Sequence, residues 1–432
     1  MKPLSGTLPL LLAVAAHAQA PLSLQDAIRQ AWKGQSGLQA GEAMAEKARL
    51  EAEALKALRL PTVSLGLGLT RTTEPMMAFG TRLDQARISQ MDFMPDRLNH
   101  PAAITGGGAT LTVQQPLYAG GRIDAAGRAG SSMASAEASA QAWRRQQVAL
   151  AVAQAYFGAQ VADQAARYAE DTLKQAAETE RFVAARVEQG LMLRSEADRA
   201  RAFRAQSEAG LAEARARTAS ARSALALLLG SDATAVELAT SLEAPEATPA
   251  AAGSRADLEA GRHLAEAAKA GVDAAKGALK PEVGLSLTAG TARYALGEGG
   301  NWTTASLGAK WNFSFGDSRR VSAARAQARA AALGLQWQER QASREVEEAR
   351  RAVDTAAAKI AFAKTALEAS ESVRAIRTAR HREGLLPLVE VLDAEAGLSG
   401  ARTLLLNSRL EWRVSRAQLA MALGQPIEGV KE

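Results

Sequence analysis

The sequence predicts a mixed α+β membrane protein, internally duplicated, in which short amphipathic strands run into helices of unusual length. Three observations predict it. Four stretches of about ten residues alternate apolar with small or polar side chains, the period of a strand with two unlike faces. Two alanine-rich runs contain no proline, one between Pro116 and Pro245 and one between Pro281 and Pro387, so nothing in them interrupts a helix. Landmarks recur: Gly190 and Gly384 are 194 positions apart (384 − 190), as are Gly230 and Gly424 (424 − 230), which is the signature of a repeat.

Composition narrows the class. Aromatics are 4 % of 432 residues, too few for one thick globular core, whereas alanine suits closely packed helices. Hydrophobic content of 47 % with 23 % charge excludes a disordered chain. The net charge of +6 is spread over helix-face arginines without interleaved aromatics, which argues against a nucleic-acid partner. The start reads as a signal peptide, residues 1–18. Lys2 precedes a short apolar core, Leu8 to Ala16, and the small-x-small site Ala16-His17-Ala18 is preferred because cleavage after Ala20 would put Pro21 beside the cut. That core is too short for a membrane helix, and no later run of about 18 apolar residues occurs. The absence of cysteine removes disulfides, thiolate metal sites and a lipidated N-terminal cysteine. Membrane attachment is therefore expected from strands.

The first repeat is expected over 19–230. Ser23-Leu-Gln-Asp26 has capping-box spacing and opens a helix through Trp32, and a second helix runs from about Leu38 to Leu58. Pro61 then starts a strand over 61–70, with Val63, Leu65, Leu67 and Leu69 on one face and Ser64, Gly66, Gly68 and Thr70 on the other. Residues 71–104 read as a long outer loop, in which Met76, Met77, Met91 and Met94 with Phe79 and Phe93 suggest apolar packing rather than a soft-metal site. A strand returns over 109–118. It meets Pro116, Tyr118 and Gly120-Gly121, then a helix from Arg122 to about Glu188, on the order of 100 Å long at helical rise. Gly106-Gly107-Gly108 lacks the Lys-Ser/Thr of a phosphate loop. Val148, Val152, Ala155, Ala159 and Ala162 have the 4-3 spacing of a helix seam. The chain turns at 189–195 and a partner helix stops at Gly230.

Residues 231–253, with Pro245 and Pro249, read as a connector, and the second repeat is expected over 254–424, leaving a tail at 425–432. Ser254-Arg-Ala-Asp257 is another capping box, strands are expected over 281–290 and 304–315, and helices over 317–423. Val353, Ala356, Ile360, Ala363 and Leu367 form the second seam, and Glu383-Gly-Leu-Leu-Pro-Leu388 turns the chain back. Tyr118, Tyr294, Trp302 and Trp311 lie near the expected strand ends, where interfacial aromatics belong.

Strands of this length suit a tilted crossing of a bilayer, but four cannot close. An open edge in lipid is prohibitively costly, so the chain must share one barrel with copies of itself. The expected architecture is a shared β-barrel continued by a long α-helical barrel.

The strand–strand–long-helix plan repeated twice, the turn Gln115-Pro-Leu-Tyr-Ala-Gly-Gly121 and the tip Glu383-Gly-Leu-Leu-Pro-Leu-Val-Glu-Val-Leu-Asp-Ala394 closely resemble the TolC-type outer-membrane efflux family over essentially the whole mature chain. The resemblance implies a homotrimer with a twelve-stranded barrel in outer-membrane lipid and a periplasmic helical barrel. It implies a passive exit duct docked to a periplasmic adaptor protein and an inner-membrane transporter. In the family, carboxylate rings close the periplasmic end, and the matching positions are Glu390 and Asp393, three apart on one helix face. A second reading of that pair is a helix N-terminus with its dipole complemented. His381 stands where a tyrosine can occur and Leu386 where an arginine can, departures that point to an apolar closure with little salt dependence. The two tips, Gly190-Leu191 and Gly384-Leu385, are the expected adaptor-docking turns.

No enzyme is read. His17, His100 and His381 lack metal-like partners at i+3 or i+4, His263 has only the lone Glu266 at i+3, no nucleophile motif is present, and no cofactor or metal is expected. An exported coiled-coil adhesin or scaffold accounts for the helices but leaves the four amphipathic strands unexplained.

Overall fold

The computed structural model describes residues 21–230, 236–243, 253–295, 298–312 and 314–427; the expected signal peptide, the prolines of the connector, Phe313 and the last residues of the tail lie outside these. The chain forms two compact units. One is built from Gly41–Gln141 and Ala256–Arg340, the other from the segment ending at Ala40, Ala142–Arg255 and the segment beginning at Gln341. Each unit therefore draws on both repeats.

In the first unit the strands β1 (Thr62–Thr72), β2 (Ile104–Ala119), β3 (Glu282–Ala295) and β4 (Glu298–Lys310) make one antiparallel sheet in the order β1-β2-β3-β4. Its registers sort the side chains into rows. Val63–Val113–Leu287–Ala305 and Leu65–Leu111–Ala289–Thr303 run across one face. Thr62–Gln114–Ser286–Ser306 and Ser64–Thr112–Thr288–Thr304 run across the other, where Thr112 and Thr288 place their hydroxyls 3.3 Å apart. The apolar face is bare: Leu65, Leu67 and Leu69 are all strongly exposed.

The strand ends differ from expectation, for local reasons. β2 begins at Ile104 because the Gly106–Gly108 run pairs with Thr70, Leu69 and Gly68 although it has no side chains to alternate. β4 begins earlier and ends at Lys310, not 315. There the Trp311 indole N–H donates to the Leu279 carbonyl, and Ser314 exchanges hydrogen bonds with Asp317 to start the next helix. Tyr118 and Tyr294 do sit at strand ends, but Trp302 lies within β4 opposite Gly290, and only a glycine leaves room for its ring.

The 71–104 loop is structured. Pro75 and Pro95 occupy first-turn helical positions, where a missing N–H costs nothing, and open helices α3 (Pro75–Asp84) and α4 (Pro95–Asn99). A short 3₁₀ turn, Gln90–Phe93, lies between them. Gln85 ties the loop to both hairpins by donating to the Thr105 and Arg293 carbonyls, and Arg87 stacks on the Tyr294 ring at 4.1 Å. Asp92 accepts from the Ser89 backbone and hydroxyl and pairs with Arg82; these hydrogen bonds, more than the cation, hold its carboxyl below the ordinary range. Phe79 and Phe93 pack edge to face, whereas the four methionines are exposed.

Helices α1 (Leu24–Gly34) and α2 (Ser36–Ala57) precede β1, and α5 (Arg122–Glu188) follows β2. Gly120, at φ +65°, makes that strand-to-helix turn in contact with Gly277 backbone, so a side chain there is both strained and obstructed. The remaining helices are α6 (Arg194–Leu229), α7 (Ala256–Gly277), α8 (Asp317–Arg382) and α9 (Leu388–Ala422). Ser23 caps α1 as expected, accepting from the Asp26 N–H.

The second unit has its core where α1, α5 and α6 meet, around Leu24, Ile28, Val152, Tyr156, Phe157, Leu225 and Leu229. Of the expected seam residues, Val152, Ala159, Ala356 and Ala363 are fully buried, and Val148, Ala155, Ala162, Val353, Ile360 and Leu367 are half-buried. Tyr156 ties the connector to this core, donating to the Leu22 carbonyl at 2.7 Å and accepting from the Thr240 N–H at 2.9 Å. Burial pushes its phenol pKa up, so the group stays neutral and keeps both bonds. Removing the hydroxyl strands the Thr240 N–H, while the Leu22 carbonyl keeps its bond from the Ala239 N–H. Tyr156→Phe is expected to cost about 1–3 kcal/mol, read as a lower urea midpoint of helical circular dichroism in detergent. An unchanged midpoint would mean that water reaches the Thr240 N–H.

Candidate functional site

The site is built at the two helix-hairpin tips, within the second unit. Both turns have one geometry. The Gly190 N–H reaches the Val187 carbonyl and the Leu191 N–H reaches the Arg186 carbonyl; in the second repeat the Gly384 N–H reaches the His381 carbonyl and the Leu385 N–H the Arg380 carbonyl. This double bond closes a helix when the next residue is left-handed, and Gly190 and Gly384 have φ of +72° and +80°. Nothing crowds either glycine, so the backbone conformation alone demands it. The turns lift Leu191 and Leu385 into solvent, 61 % and 67 % exposed.

Beneath the turns Val183, Ala200, Leu388 and Val391 form a small core, joined by Phe182, Val187, Met192, Ala197 and Leu392. His381, 3 % exposed, shares its Nδ1 hydrogen with the half-buried turn at the Leu386 carbonyl, 2.8 Å away, and meets the Phe182 ring edge-on at 5.9 Å. His381 and Leu386 thus meet each other, and the contact is between an imidazole and a backbone carbonyl, not between two charged groups.

The carboxylates part company. Glu390 pairs with Arg377 at 2.9 Å, and the same guanidinium also donates to the Glu390 carbonyl. Asp393 is exposed, with no ion pair among the described residues. One turn further along, the nearly buried Glu395 is held by Arg374 at 2.7 Å. An arginine partner for the tip thus comes from α8, although Leu386 cannot provide one. Arg374, Arg377 and Glu395 were not anticipated, yet a signal existed. Continuing the seam of α8 in 4-3 steps from Leu367 leads through Ser370 to Arg374, Arg377 and His381, so the seam turns polar where it meets α9.

Among the described residues, no group of three or more histidines, aspartates and glutamates is placed to hold a metal ion, and no helix is long and apolar enough to cross a membrane.

An amphipathic sheet with two unpaired edges, joined twice to very long paired helices, defines a channel-forming membrane protein whose wall is completed by further copies. The chain belongs to the outer membrane efflux protein family, whose sequence model matches residues 27–231 and 248–425, one stretch in each repeat. Solved structures share the fold. The outer membrane protein VceC of Vibrio cholerae shares 22 % identity at a TM-score of 0.78, over 94 % of this chain and 96 % of that one. The open-state MtrE outer membrane channel of Neisseria gonorrhoeae shares 21 % at 0.79, over 94 % and 89 %. The CmeC outer membrane channel of Campylobacter jejuni shares 17 % at 0.80, over 95 % and 87 %. No curated protein sequence matches. The chain is thus an outer membrane efflux protein and not an enzyme.

Proposed function

We propose that the protein is the exit duct of a tripartite efflux or secretion system, conducting passively what an inner-membrane transporter and a periplasmic adaptor deliver. The observation that carries this reading is the four-stranded sheet with β1 and β4 unpaired and one face of exposed leucines. Such a sheet is stable in lipid only when other copies close it. Three copies give a twelve-stranded barrel, within the range of known membrane barrels.

In this reading Gly190-Leu191 and Gly384-Leu385 are the adaptor-docking turns, six per trimer, and Glu390, Asp393, His381 and Leu386 belong to the periplasmic gate. The repeated turn geometry supports the first assignment, and the tip position of all four residues supports the second. The test is assembly: mass analysis after detergent extraction of the outer membrane is expected to give three copies. A stable folded monomer, released without detergent, would favour the exported coiled-coil scaffold instead.

A further inference from the structure

The two repeats contact each other inside one chain, and that contact has a definite register. β2 of the first repeat pairs with β3 of the second, with Leu111 opposite Ala289 and Thr110 opposite Gly290. The strands are themselves related by fixed intervals. β3 repeats β1 at 220 positions, from Pro61 to Pro281 (281 − 61). β4 repeats β2 at 196, because Thr62 faces Gln114 where Glu282 faces Lys310 (310 − 114). Leu111 and Leu307, and Gly120 and Gly316, keep the same interval (307 − 111 and 316 − 120).

We propose that neighbouring copies are joined by the same contact, so that β4 of one copy pairs with β1 of the next with Leu307 opposite Leu69 and Ser306 opposite Thr70. The positions follow by moving the internal pairs along these intervals (111 + 196 and 289 − 220; 110 + 196 and 290 − 220). The proposal rests on the shared-barrel reading and fixes what that reading leaves open, the register between chains.

Three features support it. Leu307 and Leu69 are 70 % and 79 % exposed in the single chain, and the register places them on the same apolar face. A one-residue slip would turn the leucines of β1 onto the hydroxyl face of β4. A two-residue slip would keep the faces but give the joints between copies a stagger different from the joints between repeats, whereas a regular barrel keeps one tilt all round. The helices repeat the argument independently. Within the chain Phe182 packs on His381 and Tyr168 lies against Arg402, 4.7 Å from the guanidinium. The residues 194 positions on, Ile376 (182 + 194) and Phe362 (168 + 194), are 52 % and 72 % exposed. The second repeat thus has an unfilled copy of the surface that the first repeat fills.

The chain has no cysteine, so engineered pairs report without background. Opposed residues in antiparallel strands alternate between Cα separations of about 5.5 and 4.5 Å, both within reach of a disulfide. Leu307→Cys with Leu69→Cys, and Ser306→Cys with Thr70→Cys, are oxidised with copper phenanthroline in outer-membrane vesicles and run without reductant. At least one pair is expected to give covalent trimer, at roughly tenfold the yield of the slipped pairs that combine Leu307→Cys with Leu67→Cys or with Arg71→Cys. The hydroxyl-to-thiol pair carries the test if the leucine replacements fail to assemble, which mass under reducing conditions reveals. A higher yield from a slipped pair overturns the register. So does the absence of any cross-link in variants that still weigh three copies. If the cysteine-free chain itself does not weigh three copies, it is the shared-barrel reading that fails.

Discussion

Replacing Leu191 and Leu385 together with aspartate is expected to reduce export to background while leaving the amount of assembled outer-membrane channel unchanged. Both side chains protrude from glycine-closed turns and are mostly exposed, so the chain loses little packing when they change. Their value lies with a partner. Burying a leucine is worth about 1.5–3 kcal/mol, and an aspartate driven into the same apolar contact adds a desolvation penalty. Summed over six turns of a trimer, the loss exceeds what a docking contact of ordinary strength can absorb. The readout is cargo export in cells that carry the cognate adaptor and transporter, beside a heat-sensitive trimer band as the control for assembly. Export that survives both changes would place docking elsewhere on the hairpins.

The second large effect concerns ion selectivity. With three copies, Glu390 and Asp393 bring six carboxylates to the tips, but Arg377 offsets each Glu390. Asp393 is therefore the residue expected to draw cations toward the pore. In planar bilayers, Asp393→Ala is expected to remove most of the cation preference and most of the block by multivalent cations added on the periplasmic side. Glu390→Ala leaves Arg377 without its carboxylate, and the preference is expected to move toward anions. The double variant should show the weakest block of all. Wild-type selectivity in the double variant would mean that these carboxylates face away from the lumen. Salt dependence is revised by the same pair. Closure with Leu386 in the turn was expected to ignore salt, but a partly exposed Arg377–Glu390 pair is screened as ionic strength rises.

How far the sequence carries these arguments differs by element. The strands are readable because lipid on one side and water on the other impose alternation on side chains such as Val63 to Leu69. The long helices are readable because proline is absent and glycines punctuate both repeats at one interval. The start of β2 is not, since Gly106–Gly108 has no side chains and pairs through backbone alone. Nor is the folded outer loop, whose order depends on Gln85 and Arg87 reaching strands far along the chain. At the tips, Glu390 and Asp393 stand out by spacing, but their inequivalence depends on α8 lying beside α9, a tertiary fact. Arg377 sits in phase with an apolar seam, so periodicity marks it as a packing position before it marks it as a charge.

The hydroxyl rows of the sheet have a kinetic consequence for whatever passes. From Thr62, Ser64 and Thr112 to Ser286, Thr288, Thr304 and Ser306, the face opposite the leucines bears rows of small neutral groups, with the Trp302 ring lying over Gly290 in the next row. Such a lining keeps its own water layer and offers many shallow, interchangeable hydrogen bonds. A permeant of either sign finds neither a Coulomb barrier nor a deep well there, and conduction requires that binding be weak enough to leave. In the duct reading, friction along these rows is then set by bore and by hydration, whereas the Trp302 ring gives the neighbouring row an apolar surface that a permeant would meet.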